Sequence, residues 1–95
     1  MGCLQRKAFT LDPDGNRAYV EPANGKYWTL KEEQAFVGGY IEHHYLDNGM
    51  VMVMNEDGLR LNLKPNMEAE MIMGPETHNG HVVGTVLVTP QELID

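Results

Sequence analysis

Two runs rich in β-branched, aromatic and sulfur-bearing side chains, Tyr40-Ile-Glu-His-His-Tyr-Leu46 and Met50-Val-Met-Val-Met-Asn55, flank Asp47-Asn-Gly49. Asn-Gly supplies the positive φ angles that a two-residue turn needs, so the segment predicts an antiparallel hairpin. A type I′ turn at Asn48-Gly49 sets Leu46 opposite Val51, Tyr45 opposite Met52, His44 opposite Val53 and His43 opposite Met54. Ile41, His43, Tyr45, Met52 and Met54 then share one face, and Glu42, His44, Leu46, Val51 and Val53 the other. Neither face is cleanly polar, so a covering layer suits both sides. A slip of one residue would exchange the faces.

Local signals place the remaining elements around this hairpin. Asp12-Pro-Asp-Gly-Asn16 and Glu21-Pro-Ala-Asn-Gly25 bracket Arg17-Ala-Tyr-Val20, which makes residues 1–25 a hairpin or loose arm with a short strand before its first turn. Thr29-Leu-Lys-Glu32 is a capping box opening a helix over Leu30 to Val37, and Gly38-Gly39 stops it. Leu59-Arg-Leu-Asn-Leu63 alternates with period two and predicts a third strand. Asn66 caps a helix over Met67 to Met73 that Gly74-Pro75 ends. Val82 to Val88 predicts a late strand, and Thr89-Pro-Gln-Glu92 a second capping box with at most one helical turn after it. The order gives an α+β domain: a small, mainly antiparallel sheet, built from a hairpin meander plus a late strand, with two short helices.

At 95 residues the chain has room for one domain, taken here as 1–95. Seven Lys and Arg stand against 14 Asp and Glu, a formal charge of −7, and 42% of residues are hydrophobic. The apolar content excludes a disordered acidic tail, and dispersed basic residues argue against direct binding of duplex nucleic acid. Association with further copies would add burial to so small a core. Cys3 is the single cysteine, which rules out an intramolecular disulfide and suits a reducing compartment. No signal-peptide h-region or membrane-length apolar run is visible, so a cytoplasmic protein without membrane contact is expected.

Candidate chemistry is sparse. Serine is absent, the acidic pairs sit in caps, turns and a short helix, and no glycine-rich phosphate loop follows a strand. An enzyme is therefore not expected, and no cofactor is implied. Of the four histidines, His78 and His81 are weak metal candidates in a polar loop, since neighbouring His43 and His44 point to opposite sides of a strand. Tyr27 and Trp28 could stack on a ring, Arg17 and Lys26 could hold an anion beside them, and Arg60 is the further cation of a ligand-binding set. The methionines of the hairpin and second helix read as core or contact surface.

Thr29 to Glu42, Asn55-Glu-Asp-Gly58, Leu63 to Ala69 and Val83 to Val88 resemble, in that order, the successive blocks of the domain-of-unknown-function family numbered 3846. The resemblance covers about residues 28–89, the family-like core. It departs at the long first segment and at His43-His44. The family consists of small proteins of phages, plasmids and other mobile elements, which implies an accessory protein in a host cytoplasm that acts by binding. One expectation is a homo-oligomer that counters host defence by sequestering a nucleotide-type signal. An alternative is an acidic inhibitor that blocks a host protein or mimics DNA, and a further one a His-dependent metal-binding or hydrolytic protein.

Overall fold

These local signals assemble, in a computed structural model that describes residues 7–46, 48–74 and 82–94, into β1 (Ala8–Leu11), β2 (Arg17–Val20), α1 (Leu30–Val37), β3 (Ile41–Tyr45), β4 (Met50–Asn55), α2 (Met67–Met73) and β5 (Val86–Pro90), followed by a 3-10 turn, Gln91–Leu93. The strands form one antiparallel sheet in the order β2-β1-β5-β4-β3. The expected α+β class holds. The first segment is a hairpin, and β1 is built into the sheet against β5 through Phe9↔Val88, Thr10↔Leu87 and Leu11↔Val86.

Both faces of the sheet are covered. On one, Ala69 and Met73 of α2 pack with Leu11, Met50, Met52, Val86 and Val88. On the other, Val37 of α1 and Trp28 pack with Ala8, Val51, Val53 and Leu87. β5 is buried along its whole length. The Trp28 indole N–H donates to the Thr89 hydroxyl at 2.8 Å, and Phe36 of α1 meets the indole edge-on at 5.3 Å.

The hairpin register differs from the expected one. Tyr45 pairs with Val51, His44 with Met52, His43 with Val53 and Glu42 with Met54. The Leu46 N–H donates to the Met50 carbonyl at 2.8 Å, so three residues separate the closing pair where the Asn-Gly reading placed two. Asn48 helps set this turn by accepting the Met50 N–H through its side-chain oxygen, at 3.1 Å. His43 consequently joins Val51 and Val53 on the α1 side, and His44 joins Met52 and Met54 on the α2 side.

Three further expectations fail. Residues 56–62 are not a strand but a series of turns, closed by Leu61 N–H to Asp57 and Asn62 N–H to Leu59. Leu59 and Leu61 are exposed. Alternation alone cannot make a strand here, because β3 and β5 already occupy both edges of β4. The late strand begins only at Val86, since Gly84 adopts φ +79° with its position filled by Leu63, 2.8 Å from an added Cβ. Nor does Thr89 cap a helix. Its hydroxyl is buried against Trp28 and donates to the Pro90 carbonyl, while Pro90 ends the strand opposite Met50.

Asn66 does more than cap α2. Its side-chain oxygen accepts the Ala69 N–H, and its amide donates to the carbonyls of Leu11 and Gly84, both at 2.9 Å, in a site 1% exposed. It thereby joins the end of β1, the approach to β5 and the start of α2. Asn66→Ala should lose about 3 kcal/mol of stability, because it strands buried carbonyls as well as the cap; a urea midpoint unchanged from wild type would contradict this role.

The Asp12 carboxylate accepts from the N–H groups of Asn16 and Asp14 and from the Asn16 amide, and these bonds hold its pKa below the usual 3.8. Glu32 is held below its usual 4.5 by the N–H groups of Thr29 and Ala23. A carboxylate with a lowered folded pKa stabilises the fold above its unfolded pKa and loses that effect as pH falls. Stability should therefore drop between about pH 5 and about pH 3, and drop less in Asp12→Asn with Glu32→Gln, as followed by circular dichroism during acid titration.

Candidate functional site

The described surface offers a groove of about 450 Å³ between β2 and the loop at 21–27, lined by Lys7, Tyr19, Val20, Glu21, Gly25 and Leu93 among others. Its loop wall is built by short-range hydrogen bonds. The Gly25 N–H closes a turn on the Pro22 carbonyl at 3.0 Å, and the Asn24 side chain accepts the N–H groups of Lys26 and Tyr27 at 2.8 and 2.9 Å. Glu32 completes the wall: one carboxylate oxygen serves the α1 capping box and the other accepts the Ala23 N–H at 2.9 Å. The loop is thus fastened to the first turn of the helix.

The opposite wall is β2. Tyr19 is 64% exposed and stands edge-on to Phe9 with centroids 5.9 Å apart. Arg17, two positions along and on the same side of the strand, lays its guanidinium over the Phe9 ring at 4.2 Å. The exposed Tyr19 ring and Lys7, both lining the groove, are the groups that can stack against a planar group and attract an anion. Glu21 opposes the second effect.

The five residues expected to bind ligand do not form one cluster. Lys26 and Tyr27 follow the lining Gly25 on the loop without lining the groove themselves, Tyr27 being 38% exposed, and Arg17 lies over Phe9 on the other face of the sheet from Ala8, Val20 and Leu93. Trp28 is 1% exposed and closes the core, so it offers no stacking face. Arg60 lies in the turns after β4, where its guanidinium is 3.2 Å from Asp57, and it lines neither this groove nor a second one of about 350 Å³ between the end of α1 and Leu63. His78 and His81 lie outside the described residues, as does Cys3. Among the described residues no three His, Cys, Asp or Glu side chains converge on a point where a metal could bind.

A pair that the sequence reading missed joins α1 to β3. Glu33 is 3% exposed, and its carboxylate oxygen lies 2.8 Å from His43 Nε2. The imidazole stands edge-on to Tyr45, with centroids 6.5 Å apart. With Nε2 carrying the hydrogen, Glu33 fixes the ring and leaves Nδ1 as an acceptor, one half of a general-base arrangement. A buried carboxylate requires such a partner in any case. The expected register hid the pair, because it set His43 beside Met52 and Met54, whereas His43 shares a face with Val51 and Val53, the face α1 covers. His43→Ala should cost about 2 kcal/mol by leaving the carboxylate buried without its partner, and Glu33→Gln with His43 retained should cost less; equal losses in thermal unfolding would argue against a pairing role.

A family model described as Domain of unknown function (DUF3846) matches residues 6–92. The chain therefore belongs to that family, in keeping with the resemblance of its sequence blocks. Comparison with curated proteins and with solved structures gave no match.

Proposed function

We propose that this member of the DUF3846 family, a family of phage and mobile-element settings, acts by binding, and that the groove between β2 and the loop at 21–27 takes a small anionic ligand carrying a planar ring, of nucleotide type. The observation that carries the reading is that exposed Tyr19 and Lys7 both line the groove, with Lys26 next in the chain to the lining Gly25. Arg17 lies over Phe9 on the other face of the sheet from the lining Ala8 and Val20 and takes no part. Stacking on a tyrosine tolerates any base, while the cations supply attraction to phosphate. Trp28 and Arg60 have no part in it. The net charge of −7 works against an anion, so the site must attract locally what the molecule repels at a distance. The family's setting suits a protein that removes a signal by holding it intact.

The test is isothermal titration of the full chain with nucleoside monophosphates, nucleoside triphosphates and cyclic dinucleotides, each recovered unaltered afterwards. Saturable binding by one class, weakened at least tenfold by Tyr19→Ala and by Lys26→Glu and reduced by added salt, is the expected outcome. Absence of binding across all three classes would move the function to the other reading the charge supports, an acidic surface that blocks a host protein.

A further inference from the structure

We propose that the β3 edge of the sheet is an interface to a second copy of this chain, in which β3 pairs antiparallel with the partner's β3 about a two-fold axis at His43. The inference does not depend on the groove, which lies by the strand at the opposite edge.

β3 ends the strand order, and nothing pairs with its outer side in the described structure. Hydrogen-bond parity fixes which residues face outward. The Leu46 N–H donates to Met50 and the Glu56 N–H donates to Tyr40, so with the observed register the even-numbered residues from 40 to 46 exchange bonds with β4. Ile41, His43 and Tyr45 therefore direct their N–H and C=O groups away from the sheet. The segment from Tyr40 to Leu46 contains neither lysine nor proline, the residues that commonly protect an open edge, and it displays Tyr40 and Tyr45 at 68% and 55% exposure.

The order of side chains selects one register. With the axis at His43, His43 bonds its own copy and Ile41 bonds the partner's Tyr45, so every outward group finds a partner. Glu42 then lies opposite the partner's His44 in a non-hydrogen-bonded pair, where side chains approach most closely, an acid against a base on both sides of the axis. On the other face of the sheet Ile41 meets Tyr45, an aliphatic side chain against an aromatic one, on either side of two facing His43 rings, each next to the acid Glu33 of its own chain, a partner that His44 lacks among the described residues. Shifting the register by two in one direction puts Glu42 against Glu42, and in the other His44 against His44. Shifting by one aims the outward groups at residues already bonded to β4. The β2 edge offers less: four residues, running into Glu21 and then Pro22, which has no N–H. The arrangement is closed and isologous, a dimer with one continuous sheet.

Charge reversal within the pair tests this without touching the core, since Glu42 is exposed and His44 partly so. Sedimentation velocity on the full chain at neutral pH should give twice the 10.7 kDa monomer mass. His44→Glu, which sets two acids against each other twice, should raise the dissociation constant at least tenfold while circular dichroism stays unchanged. Glu42→His together with His44→Glu restores an acid opposite a base and should restore the dimer. A wild-type monomer up to about 100 µM, above the micromolar end of standard interfaces, overturns the proposal, as does a dimer indifferent to His44→Glu or one that the double exchange fails to rescue.

Discussion

The structure depends on β5 completing the sheet between β1 and β4. Without it β1–β2 and β3–β4 are two separate hairpins, and the apolar residues on both faces of β4 lose Val86, Leu87 and Val88 as neighbours. Phe9↔Val88 and Met52↔Val88 show the join, a single valine with a backbone neighbour from each hairpin. Burial on both faces follows, because Leu87 looks toward α1 and Trp28 while Val86 and Val88 look toward α2. The helices lie where they do because a five-stranded surface exists only once β5 is in place. Long-range pairings of this sort are slow to form, since loop-closure entropy is lost before the contacts return any free energy.

What was legible in the sequence was local. The Thr29–Glu32 capping box, the Asn66 cap and the Gly38 stop are interactions within a few residues, and α1 and α2 have the bounds those signals imply. β4 likewise begins and ends as its composition suggests. Errors arose where a local signal competed with a distant one. Leu59 to Leu63 has the period of a strand, yet strand formation requires a free edge, and sequence period carries no information about vacancy beside β4. Asn48-Gly49 fits a two-residue turn, but the three-residue alternative uses the Asn48 side chain to hold the Met50 N–H.

That one-residue difference propagated into the candidate site. It moved His43 from the methionine face to the valine face, where Glu33 of α1 waits, and it exchanged the neighbours of His44. Arg17, Lys26 and Tyr27 were legible as surface residues flanking turns, but none of them lines the groove. Trp28 was misread because an aromatic residue before a helix can either close a core or face solvent. Its indole N–H settles the matter only through Thr89, sixty-one positions later.

Glu32 carries a dynamic consequence. Its carboxylate secures the Thr29 amide through one oxygen and the Ala23 amide through the other, while the Thr29 hydroxyl holds the Glu32 amide. Fraying of the helix start and opening of the loop at 21–27 are therefore coupled through this one side chain. The Ala23, Thr29 and Glu32 amides are thus tied together, and whatever steadies the loop from outside also steadies the head of α1.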